Sequence, residues 1–351
     1  MGLFKIEINI SENLFENEEN KEIIYYSRNG KDFTDNISFN MNKIIITGTR
    51  SKQIKIDNLL ESVNSTYYYN IIKALLYTYF EKDKFQVESI KIYIDKVEQK
   101  GYKKTEIIQE FNYERLININ SEKLFRDKKT SDTAMNALMN LTLSFSKKDL
   151  QFDFSWKCFN TLIREVFEES NDFEMLKKLR LDLEENYIDY PNISSFIPNM
   201  DAPYMSACRL IAMICNNFPK GNIKKQNKLE EFFKEFTDYR VAEVLKEKMK
   251  CKTKDLNTIG KYTDVESFYS QHIAQKTENE IDIIRLVILK YAYYLRCKYF
   301  HGEKIPSTFL LVNHNQKELN RISIPVRILC KDLIENKLYE IAPVIMTRAI
   351  F

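Results

Sequence analysis

The sequence predicts a mainly α protein in which a smaller α+β N-terminal domain, residues 1–120, precedes a helical domain, residues 136–345. Three observations carry that expectation. Only 7 glycines and 7 prolines interrupt 351 residues, while Tyr and Phe number 21 and 23, a composition of packed regular elements rather than loops. Runs that alternate apolar and polar residues, with the period of two of a half-buried strand, all begin before residue 90. Beyond residue 136 the apolar residues recur at helical spacing instead.

The elements follow in order. Residues 3–10, 22–26, 43–47 and 89–94 read as strands, with a tyrosine-rich helix over 67–80 between them. The tyrosines at 67–69, 77 and 79 are able to stack on bases, but buried packing is the better reading of them. The polar stretch 120–135 reads as a linker. Phe152, Trp156, Phe159, Ile163 and Val166 form one helical stripe, and Asp201 with Pro203 starts a helix running toward Phe218. Residues 228–250 read as one charged amphipathic helix that turns Leu229, Phe232, Phe233, Phe236 and Val244 inward. Its many lysines are more simply a solubilising face than a track for RNA. A final helix follows Pro325 and runs to about Leu338.

The best-delimited helix lies between Thr277 and Gly302. Thr277 to Glu280 has the capping-box pattern, and Gly302 stands where a left-handed residue closes a helix. Residues 281–295 are apolar on nearly every side, so this helix is buried around most of its circumference. Arg285 and Arg296, 11 positions apart, fall about 20° from each other on an ideal α-helix and so share a face. Charged side chains in such a helix need partners or a task.

Composition narrows the function. The net charge of +3 gives no overall polyelectrolyte signal, so a basic surface has to be local. There is no glycine-rich phosphate-cradling loop. Six cysteines without a CxxC pair, and three histidines away from them, point to free thiols in a reducing compartment and away from a zinc site. The first residues lack the pattern of a signal peptide, Ile6 does not suit a myristoylation motif, and no apolar run reaches the roughly 18 residues of a membrane span. A cytoplasmic protein without membrane contact is expected.

Arg296 and His301, five positions apart at the end of the buried helix, form the constellation with the most chemistry in it. Histidine moves a proton near neutral pH, and arginine holds charge that builds on a phosphorane, so the pair suits phosphodiester cleavage without a metal. The spacing alone arises by chance roughly one time in three in a chain of this composition. A purely structural reading stands beside it, with Arg296 paired to a buried carboxylate and His301 capping the helix. On an ideal helix His301 lies about 140° from Arg296. It reaches the arginine's face only through unwinding at Gly302 or by meeting the arginine of a second subunit.

These residues resemble the HEPN superfamily, whose ribonuclease members carry R-x4–6-H on the last long helix of a small antiparallel helical bundle. Arg296 and His301 match the two motif positions, and His301, Gly302, Glu303 and Lys304 look like the HGxK ending of bacterial members. Upstream, Trp156, Phe159 and Asn160 resemble the W-x-x-F-N signature of one bacterial branch. The likeness spans about residues 145–340 and leaves the N-terminal third outside it. It implies a HEPN-like bundle and a homodimer with a composite active site that cuts RNA without metal or other cofactor. The 2′-hydroxyl would attack the adjacent phosphate, leaving a 2′,3′-cyclic phosphate and a 5′-hydroxyl. His301 would serve as general acid or base and Arg296 would hold the scissile phosphate, with Lys298, Lys304 and Asn160 as candidate RNA contacts. Such a protein would act as a toxin or antiviral, abortive-infection effector, with an antitoxin or a phage-derived trigger as a further partner. Cys297 modulates the expectation: active members usually carry Asn, Asp or His after the motif arginine, and a thiol is a poorer hydrogen bonder. That departure keeps a silent nucleotide-, RNA- or protein-binding dimer as the alternative.

Overall fold

The computed structural model describes residues 2–338, apart from 53, 55–59, 61, 116, 221–222 and 305–312. It is mostly helical, with a six-stranded antiparallel sheet in its N-terminal part. The chain divides into two compact units: Met1–Lys148 with Lys157–Glu168 and Leu333–Phe351, and Asp149–Trp156 with Glu169–Asp332. Residues 339–345, the end of the helical stretch expected from sequence, lie outside the described residues. Among the described residues no helix is long and apolar enough to cross a membrane.

In the first unit the strands are β1 (Gly2–Ile10), β2 (Phe15–Arg28), β3 (Lys31–Met41), β4 (Lys43–Arg50), β5 (Val87–Ile94) and β6 (Val97–Lys103), in the order β2-β3-β4-β1-β5-β6. Alternation explains the central strand: Phe4, Ile6, Ile8 and Ile10 are buried while Lys5, Glu7 and Asn9 turn to the other face. Asn29 and Gly30, both at positive φ, turn β2 into β3 as an Asn-Gly hairpin does. The helix α1 (Thr66–Tyr77) starts on Ser65, whose hydroxyl accepts the Tyr68 N–H, and buries Ile71, Ala74, Leu75 and Tyr77. Tyr79 is likewise buried and donates its hydroxyl to the Tyr113 carbonyl at 2.9 Å.

Two strands went unread in the sequence for physical reasons. β3 is polar because it carries Asp35, which is fully buried and accepts from Arg50 Nη1 and Nη2 at 2.7 and 2.6 Å and from Asn70 at 2.7 Å. Gly48 makes room for that carboxylate, since a Cβ there would stand 1.9 Å from Asp35 Oδ1. β6 is an edge strand with mostly exposed side chains, so it has no buried face to pattern.

The stretch 120–135 is not a linker. It forms a 3₁₀ turn (Glu122–Phe125) and the start of α2 (Lys128–Ser146). Asp127 caps α2 by accepting from Lys129 and Thr130, and its polar first turns are buried through Thr130 and Ser131. The polar composition there is that of a helix start, not of a tether. The next helix, α3 (Gln151–Val166), has residues 151–156 in the second unit and 157–166 in the first. Its stripe of Phe152, Trp156, Phe159 and Ile163 is buried as the spacing requires.

The second unit continues with α4 (Asp172–Glu185), α5 (Pro191–Phe196), α6 (Ala202–Ser206), α7 (Leu210–Asn217), α8 (Ile223–Lys234), α9 (Tyr239–Lys248), α10 (Thr253–Thr258) and α11 (Tyr262–Gln275). The expected single helix over 228–250 is two. Asp238 ends the first by becoming the N-cap of α9, accepting from the Arg240 N–H at 2.9 Å. The five apolar residues expected inward are all buried.

The helix expected from Thr277 to Gly302 runs as α12 (Glu280–Ile284), a π-helical stretch (Arg285–Ala292) and α13 (Tyr293–Phe300). Ile283, Ile284, Leu286, Ile288, Ala292 and Leu295 are fully buried, as an all-round apolar helix should be. Its expected capping box does not form, because the Thr277 hydroxyl lies 3.1 Å from His272 Nδ1 and Asn279 takes the cap position without a side-chain bond. Pro325 does not open the last helix either; it sits inside α14 (Asn313–Asp332). A proline there strips the Arg321 carbonyl of its helical donor, and the Tyr204 hydroxyl supplies one at 2.8 Å.

Candidate functional site

Gly302 adopts the left-handed conformation expected of it, at φ +68°. Its N–H bonds the Tyr299 carbonyl at 3.3 Å, and Lys304 N–H bonds the Lys298 carbonyl at 3.0 Å, so the chain folds back over the helix end. His301 is the C-cap: its N–H bonds the Cys297 carbonyl at 3.2 Å, and its side chain is exposed.

Arg296 sits one turn earlier and is held on one side. Its Nη2 lies 3.0 Å from Asp172 Oδ2 at the start of α4, with the two side chains 21% and 30% exposed. The rings of Tyr293 and Phe300 flank its guanidinium at 6.0 and 5.8 Å. Its Nε is buried with no hydrogen-bond acceptor among the described residues. Both features of the purely structural reading are therefore present, a carboxylate partner for Arg296 and a capping role for His301.

Cys297 occupies a different setting. Its thiol is 3.9 Å from Arg296 Nη1, and it borders the Tyr293 hydroxyl, which burial and the neighbouring thiol push up to about 12. It also lines a cavity of about 600 Å³ in the second unit, together with Arg285, Leu289, Lys290, Tyr293 and Tyr294 of the same helix. Neither Arg296 nor His301 lines that cavity.

The expectation that Arg285 and Arg296 share a face fails for this reason. A π-helical stretch inserts one residue into the turn count and rotates everything after it by about 100°. Arg285 thus shares its cavity wall with Cys297 instead of Arg296.

The other candidates disperse. Lys298 pairs with Glu303. Lys304 lies over Tyr294 and Tyr299 at 5.6 and 5.3 Å; burial lowers its pKa, Glu318 opposes that, and Arg209 and Lys298 add to it. Trp156 of the upstream segment packs beside the motif helix, its ring 6.1 Å from that of Tyr293. Asn160 is half-buried on the part of α3 that belongs to the first unit.

A second cluster escaped sequence reasoning. Glu235, at the end of α8, pairs with Lys290 at 2.7 Å, with Arg285, and with Arg180 of α4 at 3.9 Å. Burial raises its pKa, but Lys290 and Arg285 outweigh it and hold the carboxyl below its usual value. These residues come from separate helices, so no local motif announces them. Only the isolated charges at 285 and 290 in an apolar helix hinted at them.

Comparisons with protein-family models, with curated proteins and with solved structures find no match for this chain.

Proposed function

We propose that the chain is a metal-independent endoribonuclease of HEPN type that works as a homodimer and serves as a toxin or antiviral defence effector. The observation that carries this reading is the end of the motif helix: an exposed histidine on a left-handed glycine, one turn after an arginine with an unsatisfied buried Nε. An imidazole held there is open to substrate, and a guanidinium with a spare donor is able to take a phosphate oxygen. The packing of Trp156 against Tyr293 supports pairing the two motif segments. His301 would move the proton between the 2′-hydroxyl and the leaving 5′-oxygen, and Arg296 would exchange part of its hold on Asp172 for the scissile phosphate. Purified protein is expected to cut RNA but not DNA in the presence of EDTA. His301→Ala and Arg296→Ala should each lower the rate by about 10²-fold or more. Cleavage that persists in either variant removes the assignment.

A second reading, a catalytically silent dimer that binds nucleotide, RNA or protein, is favoured by one feature. Asp172 already engages Arg296, and the position next to it holds a thiol turned toward a cavity. Cys297→Asn separates the two: it should raise cleavage if the thiol only weakens an active site, and should produce none if the site is silent.

A further inference from the structure

The cavity beside the motif helix has a composition that the proposed cleavage chemistry does not use. Its walls are largely apolar, through Phe173 and Leu176 of α4, Phe218 after α7, Phe232 of α8, and Leu289 and Tyr293. Its charged lining is one-sided: Lys177, Arg180, Arg285 and Lys290 stand against a single carboxylate, Glu235. Outside that lining, Glu174 and Glu184 lie 3.7 Å from Lys177 and Arg180 and are 44% and 40% exposed, so solvent screens them. Asp282, the second partner of Arg285, also accepts from Thr237 and from the Asp238 N–H.

Two of the four cations have unspent donors. The Nε atoms of Arg180 and Arg285 are buried without a hydrogen-bond acceptor among the described residues. A buried donor left unmade costs about 1–3 kcal/mol, which an incoming anion would recover. Lys290 lies over Phe232 at 5.5 Å, and Arg285 over Phe236 at 5.5 Å, so the positive charge is set against aromatic surface. A volume of about 600 Å³ suits a small organic molecule.

We infer that this cavity binds a small amphipathic organic anion, an aromatic or otherwise apolar body bearing one phosphate or carboxylate head. The head faces Arg180 and Lys177 with the spare guanidinium donors, and the body lies against Phe173, Leu176 and Leu289. The site stands apart from the proposed ribonuclease reading and survives its failure, since neither Arg296 nor His301 lines it. It does border that region, because Phe173 and Cys297 are the sequence neighbours of Asp172 and Arg296.

Calorimetric titration of the full chain with 1-naphthyl phosphate, 1-naphthoate and neutral 1-naphthol tests it. At least one anion should bind, and 1-naphthol should bind at least about tenfold more weakly than the tighter anion. Whichever anion is tighter identifies the head group. Arg180→Gln and Phe173→Glu should each weaken the anion about tenfold or more with an unchanged melting temperature. Phe173 is 68% exposed, so its replacement puts a negative charge at the mouth without disturbing a core. Equal affinity for 1-naphthol, full anion affinity in both folded variants, or no heat from either anion up to ~10 mM would each overturn the inference.

Discussion

Arg285 and Arg296 lie on one helix, yet Arg285 is bound by Asp282 at 2.8 Å and by Glu235, with 10% of its side chain exposed, whereas Arg296 has one carboxylate at 3.0 Å and is 21% exposed. The partners differ more than the arginines do. Asp282 also accepts from the Thr237 N–H at 2.6 Å and the Asp238 N–H at 3.1 Å, so it fixes the turn that starts α9. Asp172 is an exposed first-turn residue of α4 with no comparable set of backbone donors. A charge tied from several elements maintains the fold, and a charge tied from one side at a helix end is free to change partners. That contrast separates the structural end of the motif helix from the end proposed to act on RNA.

The largest expected effect lies at the structural end. Asp282→Ala leaves Arg285 half-paired and Thr237 and Asp238 without their acceptor, which should cost about 3–5 kcal/mol in urea unfolding. A loss under about 1 kcal/mol would erase the contrast.

Glu235→Gln comes next and has a pH signature. Its folded pKa lies below the ordinary 4.5, so the stability it adds is fully present above that value and disappears as pH falls through the lower folded one. The wild type should melt higher than the variant at pH 7, and the gap should close in acid. A gap that stays constant or widens in acid contradicts the assigned partners.

At the other end the stability effects should be small. Arg296→Ala removes a partly exposed pair and some ring contact, about 1 kcal/mol or less. His301→Ala, on an exposed cap, should stay within about 0.5 kcal/mol.

Much of the fold was legible because one face of each element is buried. β1, β4 and β5 show period-two alternation, and the all-apolar 281–295 stretch announced its own burial. The failures share a cause: partners supplied from elsewhere in the chain. β3 looks like a loop until Arg50 and Asn70 meet Asp35, and α14 tolerates Pro325 because Tyr204 reaches Arg321. The π-helical stretch left no trace in the sequence, since a helix apolar on every side has no face whose rotation shows. Arg296 and His301 were readable as a local spacing at a glycine-closed helix end. The Glu235 cluster, assembled from three helices, was not.

The central claim is that the two ends of the motif helix divide fold from function. The most direct measurement takes one preparation of His301→Ala and records its melting temperature and its cleavage of RNA in EDTA beside the wild type. The expected result is an unchanged melting temperature with cleavage lost by about 10²-fold or more. Undiminished cleavage, or a loss of activity that merely tracks unfolding, would contradict it.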